Sequence, residues 1–155
     1  MGRLEVAIEF ASAKHEGQYR KGGAPYITHP VAVSKILKEK GFNEDYQIAG
    51  IFHDLLEDTD ATEEEILKLG GPDVLETVKA VTKEEGYMMG RYVSAILHNP
   101  MAKEVKAADR LHNLRCAVEA DESFRRKYIE ETLEWYMDFC DEIPQAVEEL
   151  EKTLK

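Results

Sequence analysis

Residues 43–58 read Asn43-Glu44-Asp45-Tyr46-Gln47-Ile48-Ala49-Gly50-Ile51-Phe52-His53-Asp54-Leu55-Leu56-Glu57-Asp58. Asn43 is a helix-capping residue type, because its short side chain accepts a hydrogen bond from the free N–H groups of a first turn. Ile48, Ile51, Phe52, Leu55 and Leu56 recur at helical spacing, which predicts one buried helix from Asn43 through Leu56. On such a helix His53 and Glu57 lie one turn apart, as do Asp54 and Asp58, with Glu57 also near Asp54. Adjacent His53 and Asp54 diverge by about 100°, so both can border one pocket at the helix edge. Clustered carboxylates on a buried helix repel one another, and a bound divalent cation is their natural compensation. The plain alternative is a charged helix end solvated by water.

The helical period continues outward in both directions. Residues 3–16 carry Leu4, Ala7, Ile8 and Ala11 at that spacing, and a loop rich in glycine and charge follows over 17–25. Pro30 suits the first turn of a helix through about Lys40, which Gly41 ends. Thr62-Glu63-Glu64-Glu65 forms a capping box before a short helix stopped by Gly70-Gly71. Pro72 opens the next, through Val74, Leu75, Val78 and Val81. A further helix covers 91–98, and Asn99-Pro100 starts a long one to about Ala120. Ser123 caps another through Tyr136. Pro144 then restarts an acidic amphipathic tail with Val147, Leu150 and Leu154 facing the body. Strand-type alternation is not evident, and no repeat or linker divides the chain. The expectation is a compact multi-helix, all-α fold forming one domain over residues 1–155.

With 31 acidic and 20 basic side chains, the formal charge is −11. A surface this acidic repels phosphate backbones, which argues against nucleic acid or an anionic membrane as partner. Apolar runs fall far short of the ~20 residues that span a bilayer, and the start lacks a signal peptide's apolar core. Cys116 and Cys140 form no close-spaced metal or redox pair, so a reducing cytoplasm is the expected location. Trp135, Tyr136 and Phe139 read as core or as a subunit contact, which leaves a homo-oligomer open. Met88-Met89 reads as ordinary packing or as a mobile flap.

Two further residues could complete a metal shell around His53 and Asp54. His29 sits directly before Pro30 at a helix mouth, where capping is its bland role. Asp109 lies within Val105-Lys106-Ala107-Ala108-Asp109-Arg110-Leu111-His112-Asn113-Leu114-Arg115, beside an apolar face formed by Val105, Ala108, Leu111 and Leu114. An ion pair with Lys106, Arg110 or Arg115 is its alternative. Two imidazoles and two carboxylates make a mixed N/O set, which suits Mn²⁺, Fe²⁺ or Zn²⁺ better than Ca²⁺. Lys106 adds positive charge beside Asp109 or is simply solvated.

The order His29, His53-Asp54, Asp109 resembles the HD superfamily of metal-dependent phosphohydrolases. It resembles most of all the hydrolase domain of the RelA/SpoT homologues, the enzymes of the alarmones pppGpp and ppGpp. The resemblance spans about residues 7–136. It rests on 13–21, on Pro25-Tyr26-Ile27-Thr28-His29-Pro30, on 53–59 and on 108–115, with weaker echoes at Val81-Thr82-Lys83 and 131–136.

The resemblance implies that His29, His53, Asp54 and Asp109 hold one Mn²⁺. It implies that Glu57 and Asp58 serve hydrolysis of the 3′-pyrophosphate, in roles left open between them. Arg20, Lys21 and Asn113 then contact the nucleotide, although Arg20-Lys21 also reads as a solvated loop and Asn113 as a bond to a neighbouring helix. His15 and His112 fall in matching stretches and read as structural. The implied reaction is attack of water on the phosphorus at the ribose 3′-oxygen, converting ppGpp to GDP and pyrophosphate. Alarmone synthesis is not expected, because the chain ends where large members begin their synthetase domain. Where many members have Arg-Lys-Ser-Gly, this chain has Arg20-Lys21-Gly22-Gly23. Its size also resembles small stand-alone hydrolases of the animal SpoT-like type, some of them implicated in removing the 2′-phosphate of NADPH. The alternatives are therefore a nucleotide phosphatase acting on NADPH or a nucleoside monophosphate, and a non-catalytic nucleotide-binding module.

Overall fold

Asn43 does cap a helix, accepting from the Tyr46 amide at 3.3 Å. In the computed structural model, which describes residues 1–154, that helix stops at Phe52 rather than running on through Leu56. The elements are α1 (Arg3–Lys14), α2 (Thr28–Glu39), α3 (Glu44–Phe52), α4 (Leu55–Asp58), α5 (Glu63–Gly70), α6 (Pro72–Val81), α7 (Met89–Leu97), α8 (Pro100–Cys116), a 3-10 turn (Ala117–Glu119), α9 (Glu122–Trp135) and α10 (Ile143–Glu151). The described residues contain no strand, only an isolated bridge between Tyr19 and Pro25. The all-α expectation holds.

The break at His53-Asp54 corrects the expected continuous helix, and its cause is local. The His53 ring donates from Nδ1 to the Gly50 carbonyl at 2.7 Å. In a continuous helix that carbonyl would serve the Asp54 N–H. With the acceptor taken by a side chain, His53 and Asp54 turn out of register and α4 begins afresh at Leu55. The apolar period survives the break because Leu55 still reaches the core.

Local chemistry sets most other boundaries. Thr62 and Glu65 form the expected reciprocal capping box. Asn99 accepts from the Ala102 amide and Pro100 occupies the first turn of α8. The cap of α9 is Asp121, accepting from Phe124 N, rather than Ser123. The helix after Gly86 begins at Met89 instead of Arg91.

Two apolar clusters share α8. On one side Val105 and Ala108 join Val33, Leu37, Ile48, Phe52, Ile66 and Val74 from α2, α3, α5 and α6. On the other, Ala107, Leu111 and Leu114 join Ile96, Tyr136, Ile143 and Leu150 from α7, the turn after α9 and α10. Tyr136 and Phe139 are therefore core, with Trp135 packed partly buried against them. Met89 packs on the same cluster and Met88 is exposed. Val147 and Leu150 face the body as expected; Lys155 lies outside the described residues.

α2 and α3 approach closely at Gly50. A Cβ there would stand 3.0 Å from Leu37 Cδ1 and 3.3 Å from the Ser34 backbone. Gly50→Val should therefore destabilise the fold by about 2 kcal/mol through overpacking against main chain. Urea unfolding checks this, and wild-type stability would show that the two helices do not meet so closely.

Candidate metal centre and nucleotide cleft

Asp109 projects from the middle of α8 and is nearly inaccessible, as are His29 on the first turn of α2 and His53 at the end of α3. Asp109 Oδ1 lies 2.7 Å from His29 Nε2 and 3.2 Å from His53 Nε2. These three residues offer ligand atoms that all fall within 4.8 Å of one another, so they could hold a metal ion. Asp54 adds Oδ2 at 3.0 Å from His53 Nε2 and 3.9 Å from His29 Nε2. The four residues singled out as metal ligands are thus brought together, from positions up to 80 residues apart.

The surroundings leave these donor atoms turned inward. His53 Nδ1 is committed to the Gly50 carbonyl, so Nε2 is the nitrogen that faces the carboxylates. His29 Nδ1 meets His112 Nδ1 at 2.8 Å, with the two rings stacked, and again Nε2 faces inward. The Tyr26 hydroxyl donates to Asp54 Oδ2 at 2.6 Å. Lys106 Nζ takes Asp109 Oδ2 at 3.3 Å, while Asn113 Nδ2 donates to Oδ1 at 3.1 Å. The two imidazoles and the Asp109 carboxylate are a donor set that fits a divalent cation, and Asp54 lies beside them.

The charges at this centre offset one another. Burial by itself would raise Asp109, but the Lys106 ammonium and the His53 ring hold its carboxyl well below the usual range. Asp54 is likewise lowered against the effect of burial, chiefly by His53. Burial opposes protonation of His53, yet Asp54 and Asp109 together raise it well above 6.5. His29 is lowered because burial dominates there, and His112 is pushed down to about 4 by burial, His29 and Arg20. Buried charge is packed into this centre at high density, and removing any one partner leaves the rest uncompensated.

A cleft of ≈ 200 Å³ opens over the centre, with Glu57, Asp58, Lys83, Lys106, Arg110 and Asn113 on its walls. Glu57 Oε1 accepts from the Lys83 main-chain amide at 2.7 Å. The Asp58 carboxylate makes no hydrogen bond or ion pair with another described residue. Lys106 is buried between the Tyr92 and Tyr136 rings rather than solvated. Arg110 lies 4.1 Å from the ring centres of both Tyr128 and Tyr136 and is bridged to Glu131.

A second hollow of ≈ 260 Å³ adjoins the cleft, sharing Tyr26, Asn113 and Tyr128 with it. Arg20 and Lys21 line this hollow. Gly23, at φ 97°, closes the tight turn that presents them. Arg20 donates to Asn113 Oδ1 at 2.8 Å, and Lys21 Nζ lies 4.5 Å from the Phe124 ring centre. Arg20 is therefore held on the hollow, while Lys21 lies over a ring at its rim and stays exposed. His15 is structural, bonded to Gln18 and against Tyr26.

Tyr26 and Lys83 had no assigned role in the sequence, although both sit in motif stretches. Arg110 gained its place from the aromatic residues of α9 and the turn after it, which no spacing along α8 reveals.

Comparisons with known proteins converge on one family. A family model described as HD domain matches residues 7–142. The chain is 38% identical over 141 residues to a guanosine-3′,5′-bis(diphosphate) 3′-pyrophosphohydrolase of Aquifex aeolicus, covering 86% of this chain and 20% of that one. It is 36% identical over 145 residues to the bifunctional (p)ppGpp synthase/hydrolase SpoT of Escherichia coli, covering 86% and 21%. The chain thus spans about a fifth of the length of these relatives. Among solved structures, a metazoan SpoT orthologue described as hydrolysing ppGpp, with a role in starvation responses, superposes with a TM-score of 0.76 at 26% identity, covering 98% of this chain and 95% of that one. A Listeria monocytogenes protein shares the fold at a TM-score of 0.60 and 22% identity, covering 86% and 99%. No described helix is long and apolar enough to cross a membrane.

Partial burial, then the Asp54 and Glu57 charges, push the Asp58 carboxyl from 3.8 up to about 6. A raised acid favours folding in its protonated form, so this stabilisation is full below pH 3.8 and lost as pH rises through about 6. In chelator-treated protein, Asp58→Asn should raise stability above pH 6 by about 1 kcal/mol or less, given solvent screening, and leave it unchanged below pH 4. Thermal unfolding against pH checks this. A gain that persists unchanged at pH 3 would contradict the assignment.

Proposed function

The chain belongs to the HD-domain family, and from that premise we propose that it is a metal-dependent hydrolase of guanosine 3′,5′-bis(diphosphate), ppGpp or pppGpp, yielding GDP or GTP and pyrophosphate. The observation that carries the reading is the pair of adjoining hollows. One opens onto His53, Asp54 and Asp109, with His29 buried beneath them in the same cluster, and the other is lined by aromatic rings and the Arg20-Lys21 turn. A nucleotide with a 3′-pyrophosphate has the right two ends for such a pair. The names of the relatives and of the metazoan structural neighbour support the same substrate.

In this reading His29 and His53, through Nε2, and Asp54 and Asp109, through carboxylate oxygens, hold one divalent cation. Mn²⁺ is the first choice, and Fe²⁺ or Zn²⁺ suit the same donors. The bound cation supplies Lewis-acid polarisation of a phosphoryl oxygen and lowers the pKa of water toward neutrality. Tyr26 orients Asp54, and Lys106 orients Asp109 while offsetting its charge. Arg20, Lys21 and Lys83 neutralise phosphate oxygens that the cation does not reach, and Asn113 holds Arg20 in place. Lys106 contributes its field from the cleft wall.

Water attacks the phosphorus attached to the ribose 3′-oxygen, the bond from that phosphorus to the 3′-oxygen breaks, and pyrophosphate leaves. Glu57 is fastened to the Lys83 amide, whereas Asp58 has no partner to give up. Asp58 therefore takes the proton from water and returns it to the 3′-oxygen, and Glu57 fixes the wall that positions the nucleophile. We further infer a cytoplasmic location, which the two unbridged cysteines support.

Purified protein with Mn²⁺ and ppGpp should release GDP and pyrophosphate, resolved by ion-exchange chromatography. Clear turnover of another nucleotide without these products would overturn the substrate, and orthophosphate from NADPH would favour the phosphatase alternative. Asp109→Asn, which keeps the size of the side chain, should lose both bound metal and activity; retention of both would remove Asp109 from the ligand set. Glu57→Gln should keep its metal while kcat falls about 10- to 100-fold, as for groups that support a metal site from outside it. Metal loss in that variant, read by elemental analysis, would make Glu57 a ligand.

A further inference from the structure

The hollow beside the metal cleft is walled by Tyr19, Tyr26, Phe124 and Tyr128. Such walls take a flat heteroaromatic ring, but ring faces do not tell one base from another. Discrimination needs polar atoms at the edge of the ring, where the bases differ.

Glu119 supplies such atoms. It sits on the 3-10 turn that follows α8 and lines the same hollow. Its carboxylate makes no hydrogen bond or ion pair with any other described residue. It lies against Gly22, which lines the same hollow: a Cβ added to Gly22 would stand 2.2 Å from Glu119 Oε2 and 2.6 Å from Cδ. Gly22 is not one of the glycines with positive φ, so its backbone does not demand glycine. The space a side chain would need is taken by the Glu119 carboxylate. The glycine in Arg20-Lys21-Gly22-Gly23 and the acid at Glu119 are thus two halves of one arrangement, which holds a carboxylate open to the hollow.

We infer that Glu119 is a specificity-determining residue that reads the purine edge and selects guanine. Guanine offers two adjacent donors, N1–H and the exocyclic amino group, which match the two oxygens of a carboxylate. Adenine offers an acceptor at N1, which sets lone pair against lone pair. Inosine keeps N1–H and lacks the amino group, so it falls between them. The inference deepens the proposed function and rests on its placing of the nucleoside in this hollow.

The test compares ppGpp with its inosine and adenine counterparts by kcat/KM, and GDP with IDP and ADP by calorimetric Kd, for the wild type, Glu119→Ala and Gly22→Ala. The wild type should prefer guanine over adenine about 100-fold, with inosine intermediate, because a site built for hydrogen bonds rejects a base that leaves them unmade. Glu119→Ala should bring guanine and adenine within about threefold, since the charged acceptor is gone. Gly22→Ala keeps Glu119 but displaces its flexible tip, and should erode the preference in the same direction. A wild type indifferent to the base, or a Glu119→Ala variant that keeps the full preference, would overturn the inference. If ppGpp is cleaved without base preference, only this inference fails. If ppGpp is not cleaved but GDP outcompetes ADP through Glu119, the proposed reaction fails and the reading of Glu119 stands.

Discussion

The Asp109 carboxylate is a buried anion on the middle of the central helix, and the rest of the structure is arranged to make it tolerable. Its two oxygens meet His29, His53, Asn113 and Lys106. A buried charge is retained only where partners replace its lost hydration. Those partners come from α2, from the end of α3 and from α8 itself, so satisfying one carboxylate fixes how three helices meet. The close approach of α2 and α3 at Gly50 and the helix break at His53 both serve that convergence. The arrangement that balances Asp109 also turns two imidazole nitrogens toward it, with the Asp54 carboxylate beside them, which is why a fold constraint and a candidate metal centre coincide.

The helical architecture was legible because its punctuation is local. Asn43, the Thr62 and Glu65 pair, and Asn99-Pro100 act within a turn of themselves, and the structure keeps each of them. The break at His53-Asp54 was not legible, because the apolar period runs straight through it and the cause is one side chain capturing a carbonyl. Lys106 shows the same limit. Its partner Asp109 is three residues away, but its burial between Tyr92 and Tyr136 depends on α7 and the turn after α9. The candidate ligand set was proposed only from an ordered pattern of residue types resembling a family. No spacing argument joins His29 to Asp109 across 80 residues. Tyr26, Lys83 and Glu119 acquire meaning only when the two hollows are seen side by side.

The net charge of −11 describes the surface and not the site. Arg20, Lys21, Lys83, Lys106 and Arg110 line the two hollows, against Asp54, Glu57, Asp58, Asp109, Glu119 and Glu131, a balance that a divalent cation bound at the centre would tip toward positive. An extended polyanion would feel the net negative charge, whereas a small multiply charged anion in the hollows would lie within the roughly 8 Å screening length of their cations. A negative charge over the whole chain is therefore compatible with the proposal that the site takes one nucleotide.

The most direct test is diffraction from crystals grown with Mn²⁺ and a non-hydrolysable guanosine 3′-pyrophosphate analogue, recorded for anomalous scattering from manganese. The account predicts one manganese peak among His29, His53, Asp54 and Asp109, with the 3′-pyrophosphate in the cleft above it and the base in the hollow beside Tyr26. A manganese peak elsewhere, or a base seated outside that hollow, would contradict it.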